Sequence, residues 1–318
     1  MSISSKTCWT ITDEFPGMKS QVMGLAEAIG LPTTHKTCQR RWPWGWLGLS
    51  WGNPLAQLTS ASDSLLPPWP DLIITCGRRS APLALAIKKK TGEKTFCVHI
   101  QNPILELAAF DLIVAPEHDN LKGPNVITTK GAIHKVTAQK LKEGVKADGA
   151  LFQKLPRPFS TVLLGGSTNR YKMPRKALED LIQKILLIRN QTQGSVLVTP
   201  SFRTPFRDLP TEMLEGEPNV FLADIEKYNP YFAMLGAADF VFVTDDSVNM
   251  VCEALVTGKP VYVLPLLGHG ETKPKKFIQG LVQEGIVRLF QGSIDTWSYA
   301  PFNDTAKVAA VVREKMKF

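Results

Sequence analysis

The second half of the chain alternates short apolar runs with amphipathic stretches. "STVLLGG" (160–166), "SVLVTP" (195–200), "NVFLAD" (219–224), "DFVFVTD" (239–245) and "KPVYVLP" (259–265) are strand-length and largely apolar, as expected of strands covered on both sides. Between the first two, "PRKALEDLIQKILLIRN" (174–190) repeats its apolar positions at helical spacing, with Pro174 in the first turn, where its missing N–H costs nothing. Helices are also predicted over 206–216, 229–238 and 273–285. Strands alternating with helices predict a parallel sheet with helices on both faces.

The first half repeats the theme less cleanly. Strands are predicted at "TCWTITD" (7–13), weakly at "PTTHKTC" (32–38), and at "DLIITCG" (71–77), "KTFCVHI" (94–100) and "DLIVAP" (111–116). Helices are predicted at 17–30, closed by Gly30, and at 80–90 and 134–146. Two α/β units suit a chain of 318 residues, longer than one core usually spans. "QKLPRPFS" (153–160), with Pro156 and Pro158, is the natural hinge. The expected domains are therefore 1–155 and 156–302, with residues 303–318 forming a last helix able to pack back on the first domain. Doubly wound sheets bind ligands beyond the carboxyl ends of their strands, so the expected architecture is two Rossmann-like domains facing a cleft, with function in the loops after strands.

Composition narrows the class. No apolar run approaches the ~20 residues a membrane helix needs, and the opening "MSISSKTCWTITDE" lacks the charged-then-apolar order of a secretion signal. A cytoplasmic location is expected, at most peripheral at the inner face of a membrane. Cys8, Cys38, Cys76, Cys97 and Cys252 form no C-x-x-C pair and sit in or beside apolar runs, so reduced, buried thiols are expected. The histidines show no paired ligand spacing, and neither a metal nor another cofactor is expected. The net charge of +8 is uneven: residues 1–155 carry 18 Lys+Arg against 12 Asp+Glu, the remainder 19 against 17. A basic face suits phosphates or an anionic membrane surface. The lack of a long Lys/Arg block, zinc-finger spacing or an RNP-like motif speaks against nucleic acid.

Candidate chemistry gathers at strand-to-helix corners. In "TDDSVNMVCEALVTGKPVYVLP" (244–265) Ser247 is a good N-cap, and Gly258 before Lys259-Pro260 closes the helix. Val248, Val251, Cys252 and Leu255 share one face of it, Asn249 and Glu253 another. The amides of a helix N-terminus attract anions, and Glu253, one turn in, suits hydroxyls. Diphosphate at the amides and ribose at the carboxylate would make a nucleotide. In the plain alternative Ser247 only caps, Asp245 and Asp246 offset the dipole, and Glu253 is solvated. After the strand at 160–164, Gly165 and Gly166 permit close backbone approach, and Ser167, Thr168 and Asn169 offer donors. Arg170, Lys172 and Arg203 are candidate charges for a leaving pyrophosphate.

In the first half, Gly17 opens the corner after the first strand, just behind Asp13 and Glu14. Arg78 and Arg79 stand at another corner with Ser80 as cap, a pair suited to a phosphate or carboxylate of an acceptor. "RRWPWGWLGLSW" (40–51) carries Trp42, Trp44, Trp46 and Trp51 among Pro and Gly. Tryptophan beside arginine favours the water–lipid boundary, so a membrane-touching lip admitting a lipid-linked acceptor is expected. Its alternative is a loop folded on its own domain.

The run S-x-x-M-x-x-E-A-x-x-x-G-x-P-V from Ser247 resembles the donor-binding signature of GT-B glycosyltransferases, and "LLGGST" resembles their G-G-S loop. That resemblance implies that Glu253 grips the ribose of a nucleotide sugar, UDP-linked by expectation. It also implies that Gly165, Gly166 and Ser167 face its phosphates, with Met250 and Asn249 nearby and Ile225 and Tyr228 at the base. It implies an acceptor-side base in the first domain, Asp13 with Glu14 and His118 behind it, if the reaction inverts. Retaining enzymes often carry a carboxylate eight residues before the ribose glutamate, where Asp245 stands, so the stereochemistry stays open. Asp245-Asp246 is not the D-x-D of metal-dependent transferases, and His269 in "LLGHGETKP" is a candidate for the sugar pocket.

Over nearly its whole length the chain resembles the mitochondrial fission family of the elongated-mitochondria type, through "FPGMKSQVMGLAEAIG", "ITCGRRSAPLAL", "VHIQNP", "DLIVAPEHD", "LLGGSTNRY", "SFRTP" and "TDDSVNMVCEALVTGKPVYV". The expected function is transfer of a sugar from a nucleotide-sugar donor to an envelope or lipid-linked acceptor. A nucleotide-sugar 2-epimerase of the same fold and a non-catalytic, fission-type adaptor are the alternatives.

Overall fold

The computed structural model describes residues 6–13, 15–44, 52–168, 171–266, 272–302 and 304–318. The chain divides into two compact units, Met1–Lys135 with Asn303–Phe318, and Val136–Phe302.

In the first unit β1 (Cys8–Thr12), β2 (Thr33–Thr37), β3 (Leu72–Cys76), β4 (Phe96–Ile100), β5 (Leu112–Pro116) and β6 (Val126–Thr129) form a parallel sheet in the order β2-β1-β3-β4-β5-β6. The chain leaves β1 for β2 on one side and returns to the other side for β3. The switch point therefore lies between the ends of β1 and β3. Helix α1 (Pro16–Ile29) packs Val22 and Leu25 on the face carrying Ile74 and Val98, and ends at Gly30 with φ +85°. Helix α2 (Ala81–Lys90) packs Leu83 and Ile87 on the opposite face, against Ile73 and Ile113. With both faces covered, β1 and β3 are buried along their whole length.

The second unit opens with α3 (Ala138–Asp148) and continues with β7 (Phe159–Leu164), α4 (Arg175–Thr192), β8 (Ser195–Pro200), α5 (Asp208–Leu214) and β9 (Val220–Leu222). It closes with α6 (Tyr231–Ala237), β10 (Phe240–Thr244), α7 (Val248–Leu255), β11 (Val261–Leu264), α8 (Lys273–Gln283) and β12 (Arg288–Leu289). Its parallel sheet runs β12-β11-β10-β7-β8-β9, so the switch point lies between β7 and β10. The last helix, α9 (Asp304–Met316), belongs to the first unit, where Val308 and Val312 join the core beneath α1. Its Asp304 carboxylate accepts the Gly131 N–H at 3.0 Å.

The division falls earlier than the Pro156–Pro158 stretch, which lies inside the second unit. Helix α3 packs on α6 so closely that a Cβ at Gly144 would lie 2.6 Å from Phe232 Cβ, and one at Gly236 2.6 Å from the Leu141 carbonyl oxygen. Prolines mark where a chain turns, but side-chain contact decides which core a helix joins. Strands β6 and β12 were not predicted. Both are short and stand at sheet edges, where one side is left unpaired. Among the described residues no helix is long and apolar enough to cross a membrane.

Candidate functional site

The two switch points collect most of the residues singled out above. In the second unit α7 starts as predicted: Ser247 has extended backbone and its Oγ accepts the Met250 N–H at 3.4 Å. Val251, Cys252 and Leu255 are buried, and Asn249 and Met250 are half-buried in the first turn. Glu253 is buried too, at 8% exposure, and Tyr231, the first residue of α6, donates its hydroxyl to Glu253 Oε2 at 2.6 Å. Burial, and then the adjacent carboxylate, push the Tyr231 hydroxyl well above the ordinary tyrosine pKa, which keeps it a donor at working pH. The apolar pattern of α6 marks Tyr231 only as a packing residue, so its hydroxyl was missed.

The glycine pair serves neighbours other than those expected. The Gly165 N–H donates to Thr244 Oγ1 at 2.8 Å, the Gly166 N–H to Asp246 Oδ2 at 3.2 Å, and the Ser167 N–H to the Arg203 carbonyl at 3.0 Å. A Cβ on Gly165 would stand 1.9 Å from Asp246 Oδ1, and one on Gly166 2.0 Å from the Arg203 carbonyl oxygen. The two glycines thus make room for a carboxylate and a carbonyl of the chain itself, and their amides are spent there. Asp246, with its side chain 2% exposed, also accepts the Thr244 hydroxyl at 2.6 Å and pairs with Arg203 Nη2 at 2.7 Å. It occupies the kind of place an anion would take, with a backbone amide, a hydroxyl and a guanidinium around it. Ser167 and Thr168 close their loop, with Ser167 Oγ accepting the Met173 N–H at 3.1 Å and the Thr168 N–H reaching the Tyr171 carbonyl at 2.7 Å.

Asp245 is a strut. Its carboxylate is buried at 3% exposure and accepts the Leu266 N–H at 3.0 Å, tying the end of β10 to the end of β11. Arg203 keeps its side chain 41% exposed at the end of β8. Ile225 is half-buried and lines, with Ser201, Thr204, Arg207 and Leu222, a groove of about 790 Å³. Tyr228 is exposed and donates to Asp148 Oδ2 at 2.6 Å. Asn169, Arg170 and His269 lie outside the described residues.

At the first unit's switch point Asp13 is buried at 7% exposure, accepts the Phe15 N–H at 3.3 Å and faces Arg79 Nη1 at 3.6 Å. Burial raises its carboxyl pKa above the ordinary value, against the opposing pull of the Phe15 amide and the Arg79 charge. Arg79 also lies over the exposed Phe15 ring at 5.6 Å, a contact that the spacing of the two segments does not reveal. Gly17 and Arg78 are exposed beside it. Ser80 does not cap α2 with its side chain, because its hydroxyl turns back to the carbonyls of Cys76 and Gly77 at 2.9 and 3.1 Å. Glu14 and the His118 side chain lie outside the described residues, as do Trp46 and Trp51, whereas Trp42 is 80% exposed and Trp44 half-buried.

A family model described as Mitochondrial fission ELM1 matches residues 16–316. The chain belongs to the mitochondrial fission ELM1 family. The Mitochondrial fission protein ELM1 of Arabidopsis thaliana is 31% identical to it over 275 residues, 78% of this chain and 64% of the plant protein. The chain therefore spans less than two thirds of that relative's length. Among solved structures it is similar to the UDP-GlcNAc 2-epimerase of Methanocaldococcus jannaschii in complex with UDP-GlcNAc and UDP. That match has a TM-score of 0.57 at 14% identity and covers 98% of this chain and 99% of the other. It is likewise similar to a glycotransferase of kitacinnamycin, with a TM-score of 0.52 at 11% identity over 99% and 97% of the two chains. These likenesses establish that the ELM1-family chain has the GT-B fold, with two doubly wound α/β units. In this ELM1-family chain the helix after β10 carries Glu253, and the loop after β7 carries the Gly165–Gly166 pair.

Proposed function

We propose that this chain binds a UDP-linked nucleotide sugar in its second unit and transfers the sugar to a lipid-linked or envelope acceptor. The observation that carries the reading is Glu253, a buried carboxylate held in place one turn into the helix at the β7/β10 switch point, where open α/β sheets take their ligands. Arg203, half-exposed beside that helix, and Lys172 supply positive charge for the leaving diphosphate, so no metal ion is invoked. In the transfer an acceptor hydroxyl attacks the anomeric carbon and gives up its proton; Asp13, buried at the first unit's own switch point, is the base proposed on the acceptor side. The bond from that carbon to the diphosphate oxygen breaks, and the nucleoside diphosphate leaves. Glu253→Ala should weaken nucleotide binding at least tenfold by calorimetry without loss of fold, and equal affinity in the two proteins removes the ribose assignment. Incubation with the nucleotide sugar alone, followed by product analysis, separates transfer from 2-epimerisation.

The contact with a membrane is proposed at the exposed Trp42 and its neighbour Trp44. Anionic liposomes should co-sediment the parent and lose at least half of the bound protein when both are changed to Ala. Unchanged binding, or none by the parent, ends the idea. One observation favours a non-catalytic reading: Asp246 already fills the anion-like place beside Gly166 and Arg203. A thermal-shift panel of nucleotides decides, since a ligand at a hundred times its Kd adds about 2.7 kcal/mol of stability, and no shift with any nucleotide supports the adaptor.

A further inference from the structure

The open edge of the second sheet is β9, and the groove of about 790 Å³ runs along it. The Asn219 carbonyl accepts the Val196 N–H and the Ala223 N–H donates to the Val198 carbonyl, both at 2.9 Å, so the parallel ladder turns the peptide groups of Phe221 toward β8. Those of Val220 and Leu222 therefore face outward, and among the described residues no strand or loop pairs with that side. Edge strands are commonly guarded by a charge or a proline. At the opposite edge of this sheet β12 carries Arg288, paired with Asp295 at 3.0 Å, whereas β9 reads Val-Phe-Leu.

Helix α5 forms the other wall of the groove. Leu214, Val220 and Leu222 give it an apolar floor, and Asp208 and Glu215 stand exposed at the two ends of the helix. Arg207 is paired with Glu226, and Lys227 with Asp224, which leaves Asp208 and Glu215 without an ion pair among the described residues. Seven helical steps separate them by about 10 Å, a length that an extended chain covers in about three residues. A second copy of this chain adding its own β9 through a two-fold axis would bring these carboxylates against their equivalents, and like charges oppose such a contact. Charge favours a basic occupant.

We propose that β9 and α5 form a docking groove for an extended basic segment of a partner protein, which adds as a further strand beside β9 and sets lysine or arginine side chains against Asp208 and Glu215. Main-chain hydrogen bonds to Val220 and Leu222 supply the attachment, and the carboxylates select the sign of the side chains. The β9 edge lies two strands from β7, so the inference stands apart from the nucleotide reading.

The test is fluorescence anisotropy of the full chain with a set of labelled eight-residue peptides. Each carries two lysines four positions apart among valine, isoleucine and threonine, and a matching set has glutamate in place of lysine. The tightest lysine peptide should bind at least tenfold better than its glutamate counterpart, and the double variant Asp208→Lys, Glu215→Lys should reverse that order. Methylating the backbone nitrogens along one edge of this peptide should weaken binding at least tenfold, and along the other less than threefold, because only one edge meets β9. Hydrogen exchange in fragments covering Val220 and Leu222 should slow when the peptide binds. Failure of every lysine peptide to bind, equal binding of the two sets, or equal losses for the two methylated edges overturns the proposal. Dimerisation of the parent in sedimentation, with the same protection and no peptide present, makes a second copy the occupant and overturns it as well. If the double variant does not fold by thermal unfolding, the methylated peptides carry the test on the parent.

Discussion

Gly165→Ala tests the internal carboxylate site directly. The added methyl group would stand 1.9 Å from Asp246 Oδ1 and 2.4 Å from its Cγ and Oδ2, well inside van der Waals contact, and Gly165 is not among the glycines with a positive φ. The cost must therefore come from the neighbour. To admit the methyl group Asp246 has to move, giving up the Gly166 amide, the Thr244 hydroxyl and the Arg203 guanidinium. Hydrogen bonds to a charged group contribute roughly 1.5–3 kcal/mol each. The displaced carboxylate regains water, and the half-exposed Arg203 counts for little. Replacing glycine also restricts the unfolded chain, which returns roughly 0.4–1 kcal/mol. The net expectation is a loss of about 2–4 kcal/mol. Urea denaturation followed by circular dichroism measures it, and hydrogen exchange of peptides covering β7 and β10 locates it. Asp246→Ala supplies the control: with no carboxylate to displace, the same Gly165→Ala change should cost at least ~1.5 kcal/mol less. Parent-like stability of Gly165→Ala, or an equal cost in both backgrounds, refutes the account.

Two further outcomes follow from buried groups elsewhere. His99, fully buried on β4 with Nδ1 2.7 Å from Thr75 Oγ1, has its pKa pushed down to about 3 by burial. The native state therefore binds fewer protons than the unfolded one, so this contribution to stability is complete above about 6.5 and is lost as pH falls toward 3, by on the order of 4 kcal/mol. Denaturation across that window should show the decline, and His99→Leu should flatten it; an unchanged slope counts against the assignment. Gly144→Val should destabilise the second unit by at least ~3 kcal/mol, because its Cβ would meet the Phe232 backbone at 2.8 Å as well as its side chain. Thermal unfolding would show this, and a fall in Tm of under two degrees would contradict the tight α3–α6 packing.

Much of the architecture was legible in the order of residues. Apolar runs alternating with amphipathic stretches specify buried parallel strands and their covering helices, and Ser247 and Gly30 mark helix ends through local backbone chemistry alone. The corner that carries Glu253 was equally visible, because helical spacing sets Asn249 and Glu253 apart from the apolar face. Periodicity reports which face of its own element a residue occupies. It does not report what a loop from another strand brings to that face. The neighbours of the glycine pair, the burial of Asp245 and Asp246, the tyrosine that holds Glu253 and the Arg79–Phe15 contact all join segments far apart in the chain. So does the seat of α3 on α6, which moved the division between units to residue 135. Local propensity and spacing thus specified the elements and their termini. Which groups meet at the two switch points was decided by the winding of the sheets, since only strand order makes β7 a neighbour of β10 and β1 a neighbour of β3.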